Sequence, residues 1–221
     1  MPTVFVTREL QLNSPLTKWA RTPGRSVISH SLLRFTPVRF TPPSHAKVWF
    51  FYSPRAVEFS VDGLAGLSKR PKLAAIGPGT AAALDAHGFQ ADFVGTGDPV
   101  EVATQFIEAV PATTVFFPRA TQSRRSVQRM LPDNYTVLDA ICYDNVVIDR
   151  VPPVRADVFI FTSPLNVEAY LREHAIAENT LLLAIGPSTA KALIAHRLAH
   201  HVADEPTEVA LVRLLTNLLP D

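Results

Sequence analysis

The sequence predicts an α/β protein of two similar lobes, each a doubly wound parallel sheet flanked by helices. Three observations predict it. The first is an internal repeat. Phe51-Tyr52-Ser53-Pro54-Arg55-Ala56-Val57-Glu58 matches Phe161-Thr162-Ser163-Pro164-Leu165-Asn166-Val167-Glu168, and Ala75-Ile76-Gly77-Pro78-Gly79-Thr80-Ala81 matches Ala184-Ile185-Gly186-Pro187-Ser188-Thr189-Ala190. Val4-Phe5-Val6-Thr7-Arg8 resembles Val115-Phe116-Phe117-Pro118-Arg119 at nearly the same spacing, and Asp98-Pro99-Val100-Glu101 echoes Glu205-Pro206-Thr207-Glu208. Similarity at nearly the same spacing, in one order, marks duplication of a structural unit. The second observation is that Val48-Trp49-Phe50-Phe51 and Val158-Phe159-Ile160-Phe161 are unbroken apolar runs. Such runs belong to strands covered on both faces, as in parallel sheets. The third is the alternation of these runs with helical segments, the sign of βαβ units.

A strand at Val4–Thr7 opens the chain, followed by a short amphipathic helix near Pro15–Ala20 and a strand from Val27 to about Phe35. A strand at Val48–Tyr52, a helix from Pro54 and a strand at Leu73–Ile76 come next. A helix from Thr80 to His87 is stopped by Gly88, because glycine takes positive φ without a Cβ clash. A strand at Ala91–Val94 and a helix at Val100–Val110 complete the unit. The second copy carries Arg197 where the first has Gly88, so its helix must end without glycine.

Composition narrows the function classes. The 221 residues suffice for two domains of about 100 residues each. A hydrophobic fraction of 47% with 19% charged residues describes a globular chain with a sizeable core. Lys+Arg 21 against Asp+Glu 20 leaves a net charge of +1, which argues against a nucleic-acid partner. The single cysteine, Cys142, precludes an internal disulfide and a thiolate-rich zinc site. Neither a secretory leader nor a membrane-length apolar window is present, so a cytoplasmic location without membrane association is expected.

The candidate chemistry lies in turns that come after strands, because doubly wound folds bind ligands at the carboxyl ends of their strands. Ser53-Pro54 and Ser163-Pro164 place a hydroxyl at the N-cap and proline at the first helical position. Gly77-Pro78-Gly79-Thr80 and Gly186-Pro187-Ser188-Thr189 do much the same, with glycine permitting close backbone approach. Free N–H groups and the positive end of the helix dipole make such ends anion sites. Taken singly, each turn is a helix cap; four on equivalent edges point to a carboxylate or phosphate ligand. Arg8 and Arg119 end equivalent strands and form a matched pair of anion contacts, whereas Arg124 and Arg125 read as a solvated helix start.

Other motifs fail. No Gly-x-Gly-x-x-Gly comes after a strand and no phosphate loop ends in Gly-Lys-Ser/Thr, so nucleotide binding has no support. His196, His200 and His201 are spaced like ligands but span a predicted helix end and read as surface histidines, so no metal is expected. The Ser-Pro turns lack the strained elbow of acyl-transfer serines, and Cys142 in an apolar strand reads as an inert thiol.

The chain resembles the uroporphyrinogen-III synthase family over essentially its whole length. The resemblance rests on the paired Phe-x-Ser-Pro-x-x-Val and Ile-Gly-Pro-x-Thr-Ala segments and the Val-x-x-Thr-Arg opening. Phe117-Pro118-Arg119, Ile141-Cys142-Tyr143 and Glu205-Pro206-Thr207 add to it. Ala210 departs from the glycine the family often carries there. The resemblance implies two flavodoxin-like lobes whose chain crosses over. About 1–36 would pack with about 148–221, the middle 37–147 would form the other lobe, and antiparallel strands near 35–40 and 141–147 would act as a two-stranded hinge. Pro37, Pro42 and Pro43 fit a stiff linker at the first crossing.

By implication the reaction closes linear hydroxymethylbilane into uroporphyrinogen III, with inversion of the last pyrrole ring and loss of water, in haem biosynthesis. No cofactor is implied, and a monomer is expected. The substrate's eight carboxylates would give the helix ends a purpose, in a cleft between the lobes. The resemblance makes Tyr143 the candidate acid. Arg8, Ser53, Thr80, Arg119, Ser163, Asn166, Ser188 and Thr189 are the candidate substrate contacts. A non-catalytic two-lobed binding protein or sensor for a small anionic ligand, or an unrelated enzyme on the same scaffold, would share the cleft.

Overall fold

The computed structural model describes residues 2–219. The chain runs β1 (Thr3–Val6), α1 (Pro15–Ala20), β2 (Ser26–Ser29), β3 (Leu33–Pro37), β4 (Val48–Phe51), α2 (Pro54–Ser60), α3 (Asp62–Ala65), β5 (Lys72–Ala75), α4 (Pro78–Ala86), β6 (Phe93–Val94) and α5 (Pro99–Ala109). It continues through β7 (Thr114–Ala120), a 3-10 turn (Gln128–Met130), β8 (Thr136–Val147), β9 (Val158–Phe161), α6 (Pro164–Leu171), β10 (Leu181–Ala184), α7 (Pro187–Ala195), β11 (His201–Val202) and α8 (Glu208–Leu218). Two compact units result, one of Met1–Arg34 with Val146–Asp221 and one of Phe35–Asn145.

The first unit holds a five-stranded sheet in the order β11-β10-β9-β1-β2, parallel throughout. The second holds β3-β8-β7-β4-β5-β6, with parallel pairing from β8 to β6. The repeat spacing makes β7 and β8 the counterparts of β1 and β2, and β4, β5 and β6 the counterparts of β9, β10 and β11. The two sheets therefore have the same strand order, and each draws strands from both copies of the repeat. Each sheet reverses its winding direction once, between β1 and β9 in the first unit and between β7 and β4 in the second.

Both faces of each sheet are covered. β4 and β9 have no exposed residue. Alternate residues of β4 feed separate cores, Trp49 and Phe51 packing with Val57, Leu73 and Leu84, and Val48 and Phe50 packing with Phe106, Val115 and Phe117. In the first unit Phe5, Phe159 and Phe161 join Tyr170 and Leu193, while Val4, Val6 and Ile160 join Leu16, Trp19 and Leu211.

Two local readings are refined by the structure. The single strand expected from Val27 to about Phe35 is two strands, β2 and β3, in different sheets. Ser31 interrupts them, its Oγ donating to Leu33 O (2.8 Å) and accepting from Leu33 N (3.3 Å). A hydroxyl that bonds nearby backbone in this way competes with the ladder. The ends of α4 and α7 correspond closely despite their different residues. Gly88 takes φ 78 and Arg197 takes φ 57, and the next residue donates in each case to the equivalent leucine carbonyl, Phe89 N to Leu84 O and Leu198 N to Leu193 O, both at 3.0 Å. The turn geometry prevails over the side chain, and Arg197 adopts the left-handed conformation that glycine takes without penalty.

Phe50 is fully buried and packs against Tyr52, Phe93, Phe106 and Phe117. Phe50→Ala should lower unfolding free energy by about 3–5 kcal/mol, measured by denaturant titration.

Candidate functional site

The second unit gathers its chemistry where β4 and β7 end. Ser53 leaves β4 in an extended conformation and caps α2, accepting from Ala56 N at 3.1 Å, while Pro54 supplies the first helical φ. The Ser53 hydroxyl is also hydrogen bonded to the Tyr143 hydroxyl at 3.2 Å. The Tyr143 ring is held by a stacked Phe59 (5.2 Å, 19°) and by Phe35 (6.2 Å) and is 7% exposed. Burial raises its pKa above the ordinary phenol value; the Ser53 hydrogen bond acts the other way, as does the charge of Arg55. The phenol is thus a neutral donor across the neutral range. Thr80 lies in the first turn of α4 and is 3% exposed.

The first unit presents a different set at the ends of β1 and β9. Ser163 caps α6, accepting from Asn166 N at 3.2 Å. Asn166 Nδ2 donates to Ser163 Oγ (2.9 Å) and Thr162 Oγ1 (3.2 Å). Thr7 Oγ1 accepts from Thr162 N (3.0 Å) and donates to Ile160 O (3.2 Å), stitching β1 to β9. Asn166 is a buried stitch of this network, and its Oδ1 has no partner. Ser188 and Thr189 come after Pro187 in the first turn of α7, with Thr189 buried and Ser188 partly open.

Gly77 and Gly186, the N-caps of α4 and α7, are extended (φ −172 and −178). A Cβ there would meet nothing nearer than 3.9 and 3.6 Å respectively. Neither conformation nor internal packing requires glycine at these two caps, where a Cβ would make only ordinary contacts.

The paired arginines are less free than their strand-end positions suggest. Arg119 is 5% exposed, and its Nε and Nη2 hold Asp139 Oδ1 at 2.9 and 2.7 Å. Gln128 Nε2 takes the other carboxylate oxygen (2.8 Å), and Gln128 N donates to the Tyr52 hydroxyl (2.9 Å). Arg119 is therefore committed to a buried ion pair, which corrects its reading as an open anion contact. Arg8 pairs with Glu208, the first residue of α8, and keeps 36% of its side chain exposed.

Arg55 is a candidate the repeat comparison passes over, because its counterpart is Leu165. It sits on the first turn of α2 beside Ser53, its guanidinium 4.5 Å over the Phe35 ring and 2.5 Å from Glu58. Its side chain stays 45% exposed beside the Ser53–Tyr143 pair, with Glu58 as its present partner. Thr7 and Thr162 are missed for the same reason, standing opposite Pro118 and Tyr52 in the repeat.

His196 pairs with Glu168 at 3.0 Å, joining α6 to α7. Among the described residues no three His, Cys, Asp or Glu side chains gather as a metal site. No helix among them is long and apolar enough to cross a membrane.

The family model described as uroporphyrinogen-III synthase HemD matches residues 15–213. No curated protein matches the chain. The fold is shared with uroporphyrinogen-III synthetase from Helicobacter pylori 26695, at TM-score 0.75 and 19% identity over 99% of this chain and 100% of that one. A mutant uroporphyrinogen III synthase from the extremely thermophilic bacterium Thermus thermophilus aligns at TM-score 0.59 and 14% identity over 100% of both chains.

The Arg119–Asp139 pair makes a stability prediction. Burial favours the neutral carboxyl of Asp139, but the hydrogen bonds from Arg119 and Gln128 outweigh it and hold the pKa below the usual value. A depressed folded-state pKa contributes stability above the unfolded value, and this is lost as pH falls through the folded one. Asp139→Ala should cost about 3 kcal/mol at pH 7 by stranding a buried guanidinium. In denaturant titrations the gap from wild type should narrow below about pH 4.

Proposed function

Because the chain belongs to the uroporphyrinogen-III synthase family, lyases that close hydroxymethylbilane into uroporphyrinogen III, we propose that Tyr143 is the acid of that reaction. The observation that carries this reading is the Ser53–Tyr143 hydrogen bond at the end of β4. The phenol donates its proton to the departing hydroxyl, the C–O bond breaks and water leaves. The electron-rich pyrrole stabilises the resulting cation, so the step needs no cofactor. The last ring then bonds through its already substituted α-carbon, the bond from that carbon to its old methylene breaks and re-forms at the free α-carbon, and the proton lost from that carbon restores the phenol. Unassisted closure does not invert the last ring, so orientation is the enzyme's main task.

The substrate carboxylates are assigned to helix ends. In one unit these are α2 and α4, with Ser53, Thr80 and Arg55; in the other they are α6 and α7, with Ser163, Ser188 and Thr189. The proline-led first turns of these helices, whose leading N–H groups have no partner within the helix, support this assignment. Each end contributes about 0.3–1 kcal/mol, so four of them supply a few of the roughly 8 kcal/mol that micromolar binding needs. Hydrogen bonds and ring packing supply the rest. Arg8 adds a cation at the first unit's edge once its pairing with Glu208 is shared. A cytoplasmic monomer completes the reading.

The first test is incubation with freshly generated hydroxymethylbilane, followed by oxidation and separation of type I and type III porphyrins. Type III should predominate without added cofactor; type I alone would overturn the reading. Tyr143→Phe should lower kcat by about 10²–10⁴, and a loss of only a few-fold would demote the residue to positioning. Since its pKa is raised, Tyr143 should impose no alkaline limb on kcat in the neutral range. Arg55→Ala should raise KM by about three- to tenfold with kcat little changed, the mark of lost uniform binding.

A further inference from the structure

β8 alternates normally as far as Cys142. Leu138, Ala140 and Cys142 all join the core that packs under α2 and α4, together with Phe116 and Ala120 of β7. By the two-residue period of a strand, Tyr143 belongs on the opposite face. Instead it lies in the same core as its neighbour Cys142. The ladder shows how. Arg119 pairs with Ile141, but Ala120 pairs with Tyr143, so Cys142 is an extra residue in a β-bulge.

Four contacts pin the bulge. The Cys142 thiol donates to Arg119 O (3.5 Å), and Arg119 Nη1 donates to Ala120 O (3.2 Å). Val38 N donates to Cys142 O (2.9 Å), and Thr121 N to Tyr143 O (3.1 Å). Burial pushes the thiol pKa up to about 11, so it keeps its proton at neutral pH. Its side chain is fully buried, so a larger one must displace its neighbours or the strand.

We propose that Cys142, as the extra residue of this bulge, is a positioning residue for the reaction. It brings Tyr143 to the face where the phenol meets Ser53. A bulkier side chain there moves the phenol away from that hydroxyl. The proposal rests on Tyr143 being the acid, and the test separates the two claims.

Cys142→Ser, Cys142→Val, Tyr143→Phe and the Cys142→Val/Tyr143→Phe double variant would be assayed for cyclisation. In parallel, wild type, the Cys142 variants and Tyr143→Phe would be made with 3-fluorotyrosine, and the Tyr143 resonance assigned by its absence from Tyr143→Phe. Cys142→Val should lower kcat by about ten- to a hundredfold, the scale of a misplaced catalytic group, and shift the Tyr143 fluorine resonance. KM should stay within about threefold, and Cys142→Ser should leave rate and resonance near wild type. In the double variant the valine should cost nothing beyond Tyr143→Phe, because both changes act through one group. An unmoved resonance in Cys142→Val, or a valine cost that adds in full to Tyr143→Phe, would overturn the proposal. If Tyr143→Phe keeps its rate, the acid reading falls, and the resonance still decides whether Cys142 places the ring. Should Cys142→Val fail to fold, Cys142→Thr carries the same expectations with a smaller branch.

Discussion

Burial of the central strands on both faces governs what the rest of the structure can do. β4 and β9 offer no exposed side chain, and residues such as Phe50, Phe117, Phe159 and Phe161 are held between helices on either side. A sheet sealed in this way has no face left for a ligand, and its accessible chemistry moves to the strand ends. There the chain must turn into a helix at once. Proline at the first helical position, preceded by serine or glycine, makes that turn with a preset φ and leaves backbone donors pointing outward. The strand-end turns therefore arise from the same packing that stabilises the core.

The repeat gives both units this architecture, yet their switch points have diverged. In one, the β4–α2 serine meets a phenol delivered by β8, two strands away, and an arginine stacked on an aromatic ring. In the other, the matching serine is drawn into a network with Asn166, Thr162 and Thr7 that ties strands together. The first arrangement offers a proton and a charge; the second offers rigidity and helix-end donors.

Much of this is legible in the sequence because it depends on short-range signals. The Ser-Pro and Gly-Pro turns mark the starts of α2, α4, α6 and α7, and the apolar runs mark β4 and β9. Gly88 announces the end of α4. The features that escape depend on partners distant in the chain or on fine local geometry. Arg119 reads as a strand-end cation until β8 brings Asp139 beside it, twenty residues later. The break between β2 and β3 comes from one serine hydroxyl bonding its local backbone. The bulge at Cys142 is invisible to periodicity, since one extra residue only shifts the phase of the residues after it. Arg55 escapes because two copies of a repeat reveal only the features they share, and its counterpart is an apolar leucine.

The interleaved strand order also constrains how the chain can be made. The second unit is contiguous from Phe35 to Asn145, so all the strands β4 to β7 needed for its central sheet emerge from the ribosome in succession. The first unit is not: β1 and β2 must wait for β9, which lies between β1 and β10 in the finished sheet. Until more than a hundred further residues have been synthesised, β1 has an open edge and an uncovered apolar face, the features that invite aggregation. Synthesis therefore passes through an interval in which a folded unit is tethered to an unfinished one, and chaperone protection matters most for the segment made first.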